Sequence, residues 1–214
     1  ERYLAAPRHV EVQILADKHG QVFAIGDRDC SIQRRHQKIV EEAPAPFIDE
    51  ALRKKMHEAA VAVAQSVNYD SCGTVELLYD TAKNDFFFLE MNTRLQVEHC
   101  VTEEVYAIDL VNWQIRVAEG EKLPAHFSNL KARGHSIEVR LYAEDPELNF
   151  MPAPGQIFAF SMPPLPHTRW EFGIDTIDEI TPAFDPMFGK CISWAESREE
   201  AAERLSDALA ETIL

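Results

Sequence analysis

The segment from Thr74 to Met91 restricts the fold of this chain more than any other. It reads as two strands, Thr74 to Asp80 and Asp85 to Met91, around a polar turn centred near Lys83, which predicts an antiparallel hairpin. If pairing is symmetric about that turn, Glu76 faces Glu90 and Thr74 faces Asn92. Opposed residues of such a pair hold their Cβ atoms about 4.5–5.5 Å apart on one face. The flanking Val75, Leu77, Leu89 and Met91 take the other face, towards a core. Two ionised carboxylates that close repel each other, so a fold seldom adopts the arrangement for stability alone. A hard divalent cation between them reverses the sign, and magnesium takes a few carboxylate oxygens together with waters and phosphate. Solvent-facing strand residues would show the same letters, so the hairpin by itself leaves both readings open.

Continuing with period two from Glu90 puts Asn92, Arg94, Gln96 and Glu98 on the same face. Arg94 offers a planar fork for a carboxylate-shaped anion such as bicarbonate. Glu98 is a carboxylate that could remove a proton in the same cleft. Arg94 nearby should lower its pKa and make it a weak base, leaving positioning to compensate.

Elsewhere the chain mixes strand and helix patterns. His9 to Ala16 and Val22 to Ile25 predict a half-buried hairpin around Asp17-Lys-His-Gly20, followed by a polar, basic stretch from Asp27 to Lys38. Ile48, Leu52, Met56, Ala59, Val63 and Val67 fall at helical spacing, and a second helix is expected over Leu110 to Ala118. A polar stretch from Glu121 to Gly134 suggests a domain boundary. Beyond it, Ser136 to Tyr142, Gln156 to Phe160 and Lys190 to Trp194 read as strands, and Met162 to Pro166 as a loop. A final helix starts near Arg198 with Ala201, Ala202, Leu205, Leu209 and Ile213 on its apolar face.

A net charge of −15 argues against a general nucleic-acid binder, and no apolar run approaches the roughly 18 residues of a membrane span. Four scattered cysteines without a C-x-x-C pair fit reduced thiols better than disulfides or zinc. Cys100 follows His99, but neighbours on an extended strand point to opposite faces, so a Cys–His nucleophile is not expected.

These residues belong to a longer ordered series. It comprises Pro7-Arg-His-Val-Glu-Val-Gln13, Asp27-Arg-Asp-Cys-Ser-Ile-Gln-Arg-Arg-His-Gln-Lys38, Glu41-Glu-Ala-Pro44, Glu90 to His99, Gly134-His-Ser-Ile-Glu-Val-Arg140, Ala143-Glu-Asp-Pro146 and Phe184-Asp-Pro-Met187. The series resembles the biotin carboxylase family of ATP-grasp enzymes over nearly the whole chain. The resemblance implies the second half of an ATP-grasp domain over residues 1–128, an antiparallel sheet with helices. A biotin carboxylase C-terminal α+β domain over 129–214, truncated at its end, would follow. It also implies that Glu76 and Glu90 bind magnesium or manganese with help from Asn92, and that Glu76 also serves ATP. Glu1 and Leu4 would lie by the adenine, His9, Gln33 and His36 near the ribose, and Lys38 at the phosphate or bicarbonate end. Arg94, Gln96 and the Val97 backbone would hold bicarbonate, with Glu98 as its base. Arg140 would stabilise the biotin enolate, a role suited to a guanidinium that stays charged.

The implied reaction is attack of bicarbonate on the ATP γ-phosphate to give carboxyphosphate, then transfer of carbon dioxide to biotin. Implied partners are a biotin carboxyl carrier protein or domain, a carboxyltransferase and a second copy in a homodimer, with neither nucleic acid nor membrane. An acyl-CoA carboxylase in the cytoplasm, foremost acetyl-CoA carboxylase of fatty acid biosynthesis, is the expected setting, or the mitochondrial matrix in a eukaryote. Family chains are about twice this long, and the glycine-rich phosphate loop and two ATP-binding lysines of their first half have no counterpart here. The expectation is an incomplete piece, inactive alone. Cys100 replaces a usual proline, the turn at Thr81 to Asp85 is longer, and the loop from Met162 to Trp170 diverges near the family's dimer contacts. The competing readings are another ATP-grasp ligase, such as a carbamoyl-phosphate synthase half, and a non-catalytic scaffold.

Overall fold

In the computed structural model, which describes residues 3–175, 179–181 and 183–213, the alternating segments become strands of one sheet. β1 (Arg8–Ala16) pairs with β2 (Val22–Arg34), and the Asp17 carboxylate closes their turn by accepting from the backbone of His19 at 2.8 Å and Gln21 at 3.0 Å. The basic stretch is strand for most of its length, because β2 runs to Arg34 before Arg35 and His36, both at positive φ, turn the chain into β3 (Gln37–Ala43). Its charges cross the sheet interior because buried partners match them.

α1 (Glu50–Ser66) starts where Asp49 accepts the Leu52 amide at 2.8 Å, satisfying one of the unpaired first-turn donors. Its buried stripe is Leu52, Met56, Ala60 and Ala64, whereas Ala59 and Val63 are half-buried and Val67 is exposed. The small alanines let the helix lie close on Val10, Val12 and Ile14 of β1. β4 (Ser71–Asp80) and β5 (Asp85–Asn92) form the expected second hairpin. The strand then stops at Asn92. The chain turns through residues 93–98 into α2 (His99–Tyr106), where strand geometry to Glu98 had been expected. This helix shows no amphipathic stripe because six of its eight residues are buried.

α3 (Leu110–Ala118) occupies the expected residues, capped by Asp109, and a short 3-10 turn follows at Ala125–Asn129. Next come β6 (His135–Tyr142) and the two-residue strands β7 (Glu144–Asp145), β8 (Met151–Pro152) and β9 (Gly155–Gln156). The strand expected to Phe160 is therefore only a stub, with Phe158 exposed and Phe160 packed edge-on against Phe172. The remaining elements are β10 (Thr168–Phe172), β11 (Glu179–Ile180), β12 (Met187–Ala195) and α4 (Arg198–Ala210). β10 was not anticipated. α4 buries Ala201, Leu205 and Ala208, while Ala202 and Ile213 are exposed.

Among the described residues, eight strands form one antiparallel sheet in the order β10-β12-β6-β3-β2-β1-β4-β5. β6 pairs directly with β3, so strands from either side of the polar stretch 121–134 share one sheet. Among the described residues no helix is long and apolar enough to cross a membrane.

Candidate functional site

The site begins on β1. Val10, Val12 and Ile14 face α1, and period two sends His9, Glu11 and Gln13 to the other side. That face was expected to meet water, yet Glu11 and Gln13 are fully buried. Their compensation is Arg28 on β2, also fully buried. Its guanidinium donates to Glu11 Oε1 at 2.5 Å, Gln13 Oε1 at 2.7 Å, Thr102 Oγ1 at 2.9 Å, Thr74 Oγ1 at 3.2 Å and Gln96 Oε1 at 3.3 Å. A guanidinium's five donors in a fixed fork suit it to joining four elements at one point.

Lys38 is the second hub. Its Nζ donates to Glu11 at 2.7 Å, Glu98 at 2.7 Å and Glu76 at 3.0 Å. Burial disfavours its charge, but the surrounding carboxylates outweigh that and raise its pKa above the ordinary value. Glu76 Oε1 also accepts from Asn92 Nδ2 at 2.9 Å and Gln96 Nε2 at 2.8 Å, while Oε2 lies 2.8 Å from His9 Nε2. Burial opposes ionisation of Glu76, yet His9 and Lys38 more than offset it and hold its pKa at about 2.

Glu76 stands opposite Glu90 and Thr74 opposite Asn92, as symmetric pairing predicts. Nearer the turn the register slips by one, with Leu77 opposite Phe88, so a bulge at Leu89 separates the two registers. The ladder thus sets a buried, ionised carboxylate across from an exposed one. These hard oxygens fit a magnesium-type ion. Asn92 turns its amide nitrogen towards Glu76 and so orients that carboxylate.

Arg94, Gln96, Val97 and Glu98 are not on a strand, but all four line the same cleft of about 600 Å³. The turn that replaces the strand is held by Gln96 O, which accepts the His99 amide at 3.3 Å and lies 2.8 Å from His99 Nδ1. Glu98 is buried between Lys38 and Arg140, whose Nη2 donates to its Oε2 at 3.1 Å. Arg94, the expected neighbour of Glu98, instead donates to Leu95 O at 3.2 Å and Asn92 Oδ1 at 3.5 Å, leaving its exposed fork beside the cleft. Arg140, from β6, also donates through Nε to Glu41 Oε1 at 2.6 Å.

The rim carries Pro7, Gln33 and the exposed His36 of the β2–β3 turn. Gln33 Nε2 lies 2.9 Å from His9 Nδ1 and donates to Cys30 O at 2.7 Å. Leu4 does not line the cleft, and Glu1 lies outside the described residues. Arg34 pairs with Glu144 and lies 4.1 Å over the Phe150 ring, while exposed Arg35 donates to Asn149 O. Cys100 sits on α2 with Sγ 3.5 Å from His99 Nε2 and 3.0 Å from Lys190 Nζ. Burial pushes that thiol up to about 12, so it stays protonated and is no nucleophile, for a reason other than strand geometry.

Of the site residues named from sequence, His9, Gln33, His36, Lys38, Glu76, Glu90, Asn92, Arg94, Gln96, Val97, Glu98 and Arg140 line the cleft. Ser31 and Leu78 on its wall, and Glu11, Gln13, Arg28 and Glu41 behind it, were given no role. The period that selected His9 also selects Glu11 and Gln13, and Arg28 between two aspartates was the matching signal.

Residues 1–126 match the family model of the carbamoyl-phosphate synthase L chain ATP-binding domain, and residues 138–214 that of the biotin carboxylase C-terminal domain. A biotin carboxylase of Halalkalibacterium halodurans is 54% identical over 209 residues, which are 98% of this chain and 46% of that protein. The mitochondrial methylcrotonoyl-CoA carboxylase subunit alpha of Dictyostelium discoideum is 51% identical over 212 residues, 99% of this chain and 30% of that one. The biotin carboxylase domain dimer of Hydrogenobacter thermophilus 2-oxoglutarate carboxylase, solved with MgADP, ADP and bicarbonate, superposes with a TM-score of 0.95 at 42% identity. That match covers 100% of this chain and 47% of the solved one, so the chain spans under half the length of these relatives. With an ATP-binding domain model and a biotin carboxylase C-terminal model matched in succession on one continuous sheet, the chain belongs to the biotin carboxylase family of ATP-grasp proteins.

Proposed function

We propose that the protein carries out the ATP- and bicarbonate-dependent carboxylation of biotin, with residues 1–214 supplying the carboxylating side of the site. The observation that carries this reading is Glu98, a buried carboxylate held between Lys38 and Arg140 in the cleft that Arg94 borders. Bicarbonate would be gripped by Arg94, Gln96 and the Val97 backbone, within reach of Glu98 as base. Its freed oxygen would attack the ATP γ-phosphate, giving carboxyphosphate and ADP. Glu76 and Glu90, with Asn92 orienting Glu76, would hold a divalent ion, which neutralises phosphate charge when bound. Leu4 would lie on the adenine side, and His9, Gln33 and His36 would approach the ribose. Lys38 would lend its charge to the transferred phosphoryl group, and Arg140 would stabilise the biotin enolate.

The second matched model, over residues 138–214, favours this over a carbamoyl-phosphate synthase half. We place the protein in an acyl-CoA carboxylase, with acetyl-CoA as acceptor, together with a biotin carrier and a carboxyltransferase. Relatives named for methylcrotonoyl-CoA and 2-oxoglutarate make the acceptor a matter for direct assay. Four buried free cysteines support a reducing compartment, the cytoplasm or the mitochondrial matrix.

The test is ADP release by the protein at its full natural length, with bicarbonate and free biotin each omitted in turn. Dependence on both is expected, and Glu98→Gln should lower the rate by about 10²–10⁴. ATP turnover that ignores bicarbonate would sink the reading.

A further inference from the structure

Behind Arg140 lies a feature that the reaction just described does not use. Glu41 on β3 and Glu138 on β6 are direct partners in the ladder, and both are fully buried. Glu41 Oε1 accepts from Arg140 at 2.6 Å, but Glu41 Oε2 and both oxygens of Glu138 have no hydrogen-bond partner among the described residues. Opposed residues in a ladder lie about 4.5–5.5 Å apart at Cβ, close enough for two carboxyl groups to meet. Two bare carboxylates there would repel in a medium that also penalises each charge.

We propose that Glu138 carries a proton at neutral pH and donates it to Glu41 Oε2, so that the pair acts as a positioning device holding Arg140 in the cleft. A carboxylic acid facing a carboxylate gives the orphaned oxygens partners and leaves one negative charge for Arg140 to share. Geometry chooses which residue keeps the proton. Glu41 already has a guanidinium on it, whereas Lys190 Nζ stands 3.5 Å from Glu138 and is engaged elsewhere, by Val97 O, Cys100 Sγ and Glu171. This inference rests on the biotin carboxylase reading for the role of Arg140, though not for the proton itself.

The surroundings agree. Around Glu41 stand Arg140 and Tyr142 from its own ladder partner, Glu98 from the turn before α2, Glu11 from β1 and Cys30 from β2. Burial, with Glu98 and Glu11 adding to it, pushes the Glu41 carboxyl up to about 7 even against Arg140. Around Glu138 stand Lys190 and Cys191 from β12, Cys100 from α2, and Glu41, Glu98 and Arg140. Burial drives Glu138 well above the ordinary carboxylate range, and Lys190 does not offset it.

The test uses the full-length protein and two substitutions. Gln at 138 keeps a donor in the place of the acid, whereas Leu removes it. Glu138→Gln should hold kcat/KM for biotin within about threefold of wild type, while Glu138→Leu should lower it by about tenfold or more. Glu138→Gln as damaging as Glu138→Leu would overturn the proposal. Infrared difference spectra of wild type against Glu138→Gln supply a readout that needs no catalysis. A protonated carboxyl band at neutral pH, missing from the variant, is expected, and its absence from wild type also overturns the proposal. If Glu138→Leu does not fold, the infrared comparison decides alone. A wild type that shows the band but no bicarbonate-dependent ADP release would instead fault the functional reading.

Discussion

Arg28 joins Glu11, Gln13, Thr74, Gln96 and Thr102, so four elements meet at one buried guanidinium. Removing one partner of a buried ion pair strands the other's charge in a medium that cannot solvate it. Arg28→Met should therefore cost about 3–5 kcal/mol in urea unfolding, more than most single substitutions. Glu76 ties the same region to pH. Its folded pKa is about 2 against an ordinary 4.5, so its ionised form stabilises the fold above about pH 4.5. That contribution, about 3 kcal/mol, fades as pH falls towards 2. Acid unfolding followed by circular dichroism should show Glu76→Gln, which lacks the titrating group, losing less stability than wild type between about pH 5 and pH 3.

At the scale of elements, two local devices place the site. The bulge at Leu89 returns β5 to the register in which Glu90 faces Glu76. The break after Asn92 lets the chain fold Gln96 and Glu98 back over the sheet. A separate constraint on packing is Gly26, at φ 75° next to the register shift in β2, where a Cβ would lie 2.3 Å from the Tyr106 ring of α2. Gly26→Ala should destabilise by about 1–3 kcal/mol, from left-handed backbone strain and overpacking together. Pairing it with Tyr106→Ala should recover part of the loss, read as non-additivity in thermal melts. The hairpins, α1 and α3 were legible because apolar spacing with period two or near 3.6 survives wherever one face is core and the other is wet. α2 was illegible because burial on nearly every side erases the stripe, and its polar residues Thr102 and Glu103 bond inward to Arg28 and Arg169. β10 was missed because its five residues are all half-buried and carry no clean alternation.

For the whole molecule, a single sheet running from β10 to β5 brings Arg140, numbered far from the hairpin, to Glu98. The 214 residues alone are expected to release no ADP in response to bicarbonate, since no glycine-rich phosphate cradle is present in the sequence. An isolated chain that turned over ATP in that way would reverse the expectation. Sequence by itself determined the antiparallel hairpin, the facing of Glu76 and Glu90, and the family, and the family resemblance gathered Lys38, Arg94, Gln96, Glu98 and Arg140 into what the structure shows as one cleft. Side-chain period and motif order depend on neighbours in the chain, and these survive without coordinates. Only the tertiary structure decided that Glu98 rests on Lys38 and Arg140 rather than Arg94, that Arg28 neutralises Glu11 in the interior, and that Glu41 stands opposite Glu138 in the ladder. Such pairings depend on which strands lie side by side, and β3 meets β6 across about a hundred residues that no local pattern spans.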